Sequence, residues 1–479
     1  KDFYSISNCD PASIISRTRT TTRRIQAISA RAELGWNNMA YLTMSARNDW
    51  SSTLPKENNH YFYPSIEGSF IFTELPFMQQ QDYVSYLKLR GAITRVGKDA
   101  NPLSVDPSLE STDDWGGGFR YGYYGPNKDL KPEMNTSKEI GFEARLFNDR
   151  VNTDFTYFWT KCSNQYITAF RLSYATGFVL NNMNVGTFTT QGWEFHIDGD
   201  ILRLSNGLRW NVGLNLDHST SMVTELPANV SEYYNAYTWL VGNTRNGLSV
   251  GNPITTITGL TYERNERGDI LINPKTGIPV TGSEWKIMGD RQPKLSGGLT
   301  TNVSWNGFRL SALFSGKFGA SVLNGTKYDM MGNGSSWESV ALREHEPIVF
   351  KGVLKDGLEN TDNPTVNTIA VDFKHYGTGI WNGSFEPWLE KDVHYVRLAE
   401  LRLSYTVPSK WLQKTTKNFL SAASVWVKGT DLCVWTNYSG IDPVGNSNSA
   451  ALGGTGGVGI DYYSIPNPRG FAFGVALTF

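Results

Sequence analysis

The stretch GFAFGVALTF, Gly470–Phe479, decides how the rest of the chain is read. Phe471, Phe473, Val475, Leu477 and Phe479 fall on one face, and Ala472, Gly474, Ala476 and Thr478 on the other. A repeat of two places a segment in a strand, because successive side chains leave a pleated backbone on opposite sides. One greasy strand suits a soluble sandwich as well as a membrane wall. What the apolar face touches has to be read from the other strands.

The alternation recurs upstream. In β-strand candidates around residues 24–36 and 39–50, Ile28, Leu34 and Trp36 oppose Arg31 and Glu33, and Leu42 and Met44 oppose Arg47 and Asp49. Leu87, Leu89 and Ile93 oppose Lys88 and Arg90. Ile140, Phe142 and Ala144 oppose Glu143 and Arg145, and after a short NDR turn Val151, Phe155, Tyr157 and Trp159 oppose Asn152, Asp154 and Thr156. Thirteen strands follow, near 24–36, 39–50, 62–73, 82–97, 138–147, 151–160, 189–199, 207–218, 294–304, 307–317, 393–406, 419–432 and 470–479.

Their connections alternate in length. Short ones fall near 37–38, 74–81, 148–150, 200–206, 305–306 and 407–418; longer ones near 51–61, 98–137, 161–188, 219–293, 318–392 and 433–469. Short turns on one rim and long loops on the other are the mark of an outer-membrane β-barrel. The polar face repeats the message. Arg31, Glu33, Arg47, Asp49, Lys88, Arg90, Glu143, Arg145, Glu194, Asp198, Asp217, Glu400 and Arg402 are too many charges for a dry core, whereas a wide barrel holds them in a wet or plugged lumen. Lipid then covers the apolar face, and only a closed barrel pairs every strand backbone group there. Trp36, Trp50, Trp159, Trp305 and Phe479 stand at strand ends, where aromatic girdles meet the membrane interface.

Composition narrows the field. The 479 residues carry a formal net charge of −1, with no basic tail, which argues against a nucleic-acid partner. No apolar run is long enough for a spanning helix. Cys9, Cys162 and Cys433 are odd in number and far apart, so free thiols are expected. The opening KDFYSISNCDP reads as the interior of a longer chain. Thirteen strands that start outside and end inside do not make the usual even barrel, so this is expected to be a partial wall.

The segments AYLTMSARNDWSSTLP, YFYPSIEGSFIFTELP, YLKLRGAITRVG, QGWEFHIDGDIL, PKLSGGLTTNVSWNGFRLSALFSGKFG, VHYVRLAELRLSYTVPSKWL, LCVWTNYSGIDP and GIDYYSIPNPRGFAFGVALTF resemble, in order, the C-terminal part of the SusC/RagA family of TonB-dependent outer-membrane transporters of Bacteroidota. The resemblance implies an all-β, transmembrane antiparallel barrel of 22 strands with a plug, of which residues 1–479 supply the C-terminal wall. About nine strands would lie in an N-terminal part, with the plug and the TonB box, which this sequence lacks. It also implies integral placement in the bacterial outer membrane, and nutrient import driven through TonB-ExbB-ExbD. A SusD/RagB-like surface lipoprotein would cap the outer loops, and the cargo would be a glycan or an oligopeptide. A passive porin and a surface binding or adhesion barrel remain the alternative readings.

No catalytic constellation is visible, and an enzyme is not expected. The six histidines form no HExxH; His345, in REHEP, reads as an exposed loop residue, and GGTGG at 453–457 lacks the ending of a phosphate loop. No cofactor or metal is expected, although loop carboxylates could hold Ca2+ in a complex. Three aromatic-rich loop stretches are the candidate contacts for cargo or partner. They hold Asp113, Asp114, Trp115, Tyr121, Tyr123 and Tyr124; Tyr233, Tyr234 and Trp239; and Tyr328, Asp329 and Trp337. Aromatic faces stack on sugar rings and carboxylates bond hydroxyls, but the same composition fits a protein interface or simple loop packing.

Overall fold

The computed structural model describes residues 20–479 apart from 107–108, 113–116, 123, 171–176, 179, 229, 238–243, 345–346, 382, 418 and 445–456, together with residues 5, 8–10, 12 and 14. One fourteen-stranded sheet dominates. Thirteen of its strands pair in chain order, each antiparallel to the next, and the two-residue strand Ile460–Asp461 lies beside this path. The thirteen are β1 Ile25–Trp36, β2 Ala40–Ser51, β3 His60–Ile71, β4 Val84–Lys98, β5 Glu133–Leu146, β6 Val151–Ser163 and β7 Thr187–Arg203, followed by β8 Arg209–Glu225, β9 Leu295–Trp305, β10 Phe308–Asn324, β11 Leu389–Thr406, β12 Ala422–Thr436 and β13 Gly470–Thr478. Every strand expected from the alternation is present. Among the described residues β1 and β13 each pair on one side only, so the sheet has two open edges.

The tight turns explain themselves. Asn37–Asn38 and Asn306–Gly307 take positive φ values of 48° and 54°, and 46° and 85°. That left-handed pair is what the two-residue hairpin between Trp305 and Phe308 requires, and it also starts the three-residue turn between Trp36 and Ala40; Asn and Gly tolerate it best. The length sorting of connections holds with one inversion. Connection 52–59, on the long-loop rim, is shorter than 72–83 and 407–421 on the opposite rim, and 407–421 contains a helix at Ser409–Thr416.

Register fixes the two faces. Ile66, Ile93, Leu89, Phe142, Phe155, Phe195, Leu216, Leu299, Phe314 and Leu403 share one side, and the charged residues expected inside share the other. Leu299 faces Leu214 on β8 and Phe314 on β10, an uninterrupted apolar band. That band is not a dry core: Ile93, Leu403 and Phe473 keep 50%, 45% and 87% of their surface. The four buried hydrophobic clusters lie instead at the long-loop end. Along β10, Phe308 and Phe318 are ten residues apart; at ~3.3 Å per residue and a tilt near 40° they are separated by roughly 25 Å, the height of a barrel's lipid-facing band.

Aromatic side chains mark both limits. At the short-turn rim Tyr83 meets Phe147, Phe308 meets Tyr405, and Phe419 meets Phe479, with ring centroids 6.5, 4.5 and 5.2 Å apart. Trp36 and Trp305 stand there too, 60% and 51% exposed. Trp50, Trp159 and Trp435 are exposed at the other limit. No helix among the described residues is long and apolar enough to cross a membrane, which says nothing of strands.

Candidate binding surfaces on the lumen wall and the loop cap

The inner face is a wall of paired charges. Arg90 on β4 reaches across β5 to Asp154 on β6 with two bonds of 2.6 and 2.8 Å, and donates a third, of 2.6 Å, to Thr156. The residue crossed is Gly141, where a side chain would meet the Phe155 carbonyl at 2.5 Å and the guanidinium at 3.3 Å. Arg47 pairs with Asp49, which also accepts the Tyr63 hydroxyl at 2.7 Å. His196 stands between Asn215, 2.6 Å from Nδ1, and Asp198, 3.1 Å from Nε2. Lys428 holds Glu400 at 3.2 Å, and Arg402 lies over the Trp426 ring. Glu194 sits directly opposite Asp217. Like charges in register are costly unless water or a cation lies between them, so this face is built for a wet lumen.

The long connections build a cap. Asn324 caps helix α1, Gly325–Gly332, by accepting the Lys327 N–H, which settles one of the orphan donors of the first turn. Tyr328 on that helix packs against Phe385 and Trp388 at 4.3 and 6.1 Å. Around them Ile257, Met288, Leu323, Met331, Leu389 and Ile460 close a core drawn from three connections and the ends of β10 and β11. Polar ties follow the same route. Tyr438 donates to Asp461 at 2.8 Å and Tyr463 donates to Asp329 at 2.5 Å. Burial and the Asp461 carboxylate hold the Tyr438 phenol far above its ordinary range. The bond to Asp329 pushes Tyr463 up to about 12, and burial does the same for Tyr328. Arg264 pairs with Glu386 and Lys355 with Glu263, bridging connections 226–294 and 325–388.

Between these loops lies a cavity of ≈560 Å3 lined by Tyr262, Phe350, Tyr376, Trp388, Lys327 and Glu390 among others. Ring faces with two ammoniums, Lys327 and Lys351, and one carboxylate can stack on and hydrogen-bond a sugar or a short peptide. These residues come from two connections and the start of β11, up to 128 positions apart, so no local motif announces them.

The residues singled out in the sequence are scattered. Tyr121 and Tyr124 are 61% and 52% exposed, and Tyr121 lies 5.1 Å from the Phe178 ring. Trp337, at the start of helix α2, Trp337–Glu344, is 86% exposed. Asp329 is bonded to Tyr463. Tyr328 is 8% exposed inside the cap core, and Tyr233, also 8% exposed, stacks on Phe170 in a second core; neither phenyl face is offered to a ligand. Asp113, Asp114, Trp115, Tyr123 and Trp239 lie outside the described residues, as do His345 and the Tyr234 side chain. Among the described residues no group of three or more His, Cys, Asp or Glu side chains is placed to hold a metal.

Residues 1–339 match the family model described as "TonB dependent receptor-like, beta-barrel". TonB-dependent receptor P26 of Formosa agariphila is 26% identical over 507 residues, covering 100% of this chain and 48% of its own length. TonB-dependent receptor SusC of Bacteroides thetaiotaomicron is 22% identical, with 92% of this chain and 42% of its own length covered. The solved structure of the RagAB peptide transporter superimposes with a TM-score of 0.71 at 20% identity, over 95% of this chain and 47% of that one. This chain thus spans about half the length of the relatives it matches.

Proposed function

The chain belongs to the TonB-dependent receptor-like β-barrel family, and from that premise we propose that it forms the C-terminal wall of an energised outer-membrane importer of oligosaccharides or oligopeptides. Members of this family are integral to the outer membrane and are not enzymes. The observation that carries the proposal is the meander itself. Its outer face is greasy between two aromatic rims, its inner face is charged and paired, and its long loops fold into a cap over one end.

The remaining assignments follow from the same proposal. The two open edges of the sheet would be closed by strands of an N-terminal part, which would also bring the plug and the TonB box. Unpaired strand edges in hydrocarbon cost several kcal/mol per group, which favours such closure over a free-standing arc. A SusD/RagB-like lipoprotein would sit on the cap, where Trp337 and Tyr121 offer exposed aromatic surface. TonB-ExbB-ExbD would act through the N-terminal part.

The test is uptake by the full-length receptor in a deletion strain, with labelled oligosaccharides and oligopeptides and with a proton uncoupler. Uptake restored by the receptor and abolished by the uncoupler is expected, with a surface lipoprotein co-purifying. Uncoupler-insensitive conductance would replace the importer with a passive porin. Binding of a ligand at the surface with no uptake would replace it with an adhesin.

A further inference from the structure

We propose that the outer face of β5–β8, at the long-loop rim, binds the phosphorylated headgroup of an outer-leaflet glycolipid. Two register rows run side by side there. One is Lys138, Trp159, Gln191 and Thr220; the next is Thr136, Lys161, Thr189 and Met222. All eight share the side of Ile140 and Tyr157, which is the lipid side. They line a groove of ≈970 Å3 with Pro253 among its walls, and among the described residues that lining holds two ammonium groups, hydroxyls and an amide but no carboxylate.

Height matters as much as charge. Lys161 lies ten residues above Val151 on β6, and Lys138 eight residues from Leu146 on β5. At ~3.3 Å per residue and ~40° tilt, both stand roughly 20–25 Å above the short turns, at the top edge of the apolar band. A lysine at mid-bilayer on a lipid face is strongly unfavourable, while near the interface the penalty almost vanishes. The two ammoniums therefore sit at headgroup depth, beside the exposed Trp159 ring.

Below them the same face turns largely apolar: Ile140, Tyr157 and Trp193, with His218 ending that row, then Phe142, Phe155, Phe195 and Leu216, of which the first two stack with 5.9 Å between centroids. Cationic and hydroxyl groups above an apolar floor match a molecule with a phosphate at one end and acyl chains at the other. A soluble phosphate would use only the upper half, and a protein partner would have to lie within the bilayer. Outside the cell the amphiphile of that description is the phosphorylated glycolipid of the outer leaflet. Basic side chains recognise such headgroups at about fivefold in affinity each.

The full-length receptor is placed in phosphatidylethanolamine nanodiscs doped with monophosphoryl lipid A or with its dephosphorylated form, and lipid retention is read by native mass spectrometry. Wild type should retain the phosphorylated lipid preferentially. Lys138→Gln with Lys161→Gln should weaken that retention about thirtyfold, and Lys138→Arg with Lys161→Arg should keep it. Lys88→Gln with Arg145→Gln, a substitution of the inner face, should leave it unchanged. Equal retention of both lipids, or unchanged retention in the double glutamine variant, would overturn the proposal. So would displacement by millimolar inorganic phosphate, which would assign the groove to a soluble anion. Dimers that vanish only in the glutamine variant would assign it to a second copy of the chain. Outer-membrane fractionation of each variant separates failure of this site from failure of the wall's placement.

Discussion

Replacing Arg397 by Met tests how a buried polar tie between the wall and its last long connection is held. Its side chain is 7% exposed. It donates to Asp431 at 3.0 Å and to both oxygens of Asp442 at 2.7 and 2.8 Å. The three residues come from β11, from β12 where Asp431 takes a φ of 51°, and from the connection to β13. The Asp431 and Asp442 side chains are only 25% and 11% exposed, so removing the guanidinium strands two carboxylates. Breaking a buried pair costs about 3–5 kcal/mol, and the partial exposure of Asp431 argues for the lower end, ~3 kcal/mol. That is on the order of a hundredfold in the open population of the β12–β13 connection. Limited proteolysis of the folded receptor at residues 437–444, with protease dilute enough that cleavage follows the open fraction, reads this directly. Arg397→Met should be cut about a hundred times faster. Arg397→Lys should fall between, because a point-like ammonium cannot span both partners. The triple variant Arg397→Met, Asp431→Leu, Asp442→Leu should recover most protection, since no charge is left uncompensated. Wild-type cleavage of Arg397→Met, or a triple variant no better than the single, would refute the reasoning.

Three more outcomes are expected. Leu299→Arg, about halfway up the lipid face, should destabilise the wall by roughly 2–4 kcal/mol in a detergent refolding titration, whereas Ser315→Arg on the lumen side should be near neutral. Gly141→Val should break the Arg90–Asp154 crossing, because its side chain would press on the Phe155 carbonyl; Arg90→Met in the same background should then add little further loss in that titration. Tyr328 and Tyr463 are held up to about 12, above the ordinary 10, so the fold favours their neutral phenols. Their stabilisation of the cap is full below pH 10 and is lost as pH climbs through about 12; phenolate absorbance should show both titrating late, and Asp329→Asn should lower Tyr463 more than Tyr328.

The wall was legible because lipid and water impose opposite demands on alternate residues, as the register of β4–β6 shows. The same signal fades where both faces meet protein. β10 was expected to stop near 317, yet it runs to Asn324, and Ser321, Val322, Leu323 and Asn324 are all buried by the cap. The small sheet of Tyr233–Tyr237, Thr244–Leu248, Thr256–Tyr262 and Thr281–Asp290 likewise carries no membrane pattern, because it folds within a connection and off the wall. Exposure of single loop aromatics was not legible either. Tyr328 and Trp337 occur in one stretch, and tertiary packing alone buries the first and leaves the second in solvent. Lys138 and Lys161 could have been found by carrying the parity of Ile140 and Trp159 two residues further toward the loops.

The cap core draws Ile257 and Met288 from one connection, Tyr328, Met331 and Phe385 from a second, and Ile460 from a third. The shape of this region is therefore inherited as a block. Grafting one loop from a related receptor would leave holes and clashes against the two that stayed behind, while transplanting all three with the tops of β10 and β11 would carry an intact fold to a new host. Divergence among such receptors should accordingly advance by exchange of whole cassettes, with compensating changes inside each, more than by drift of isolated loops.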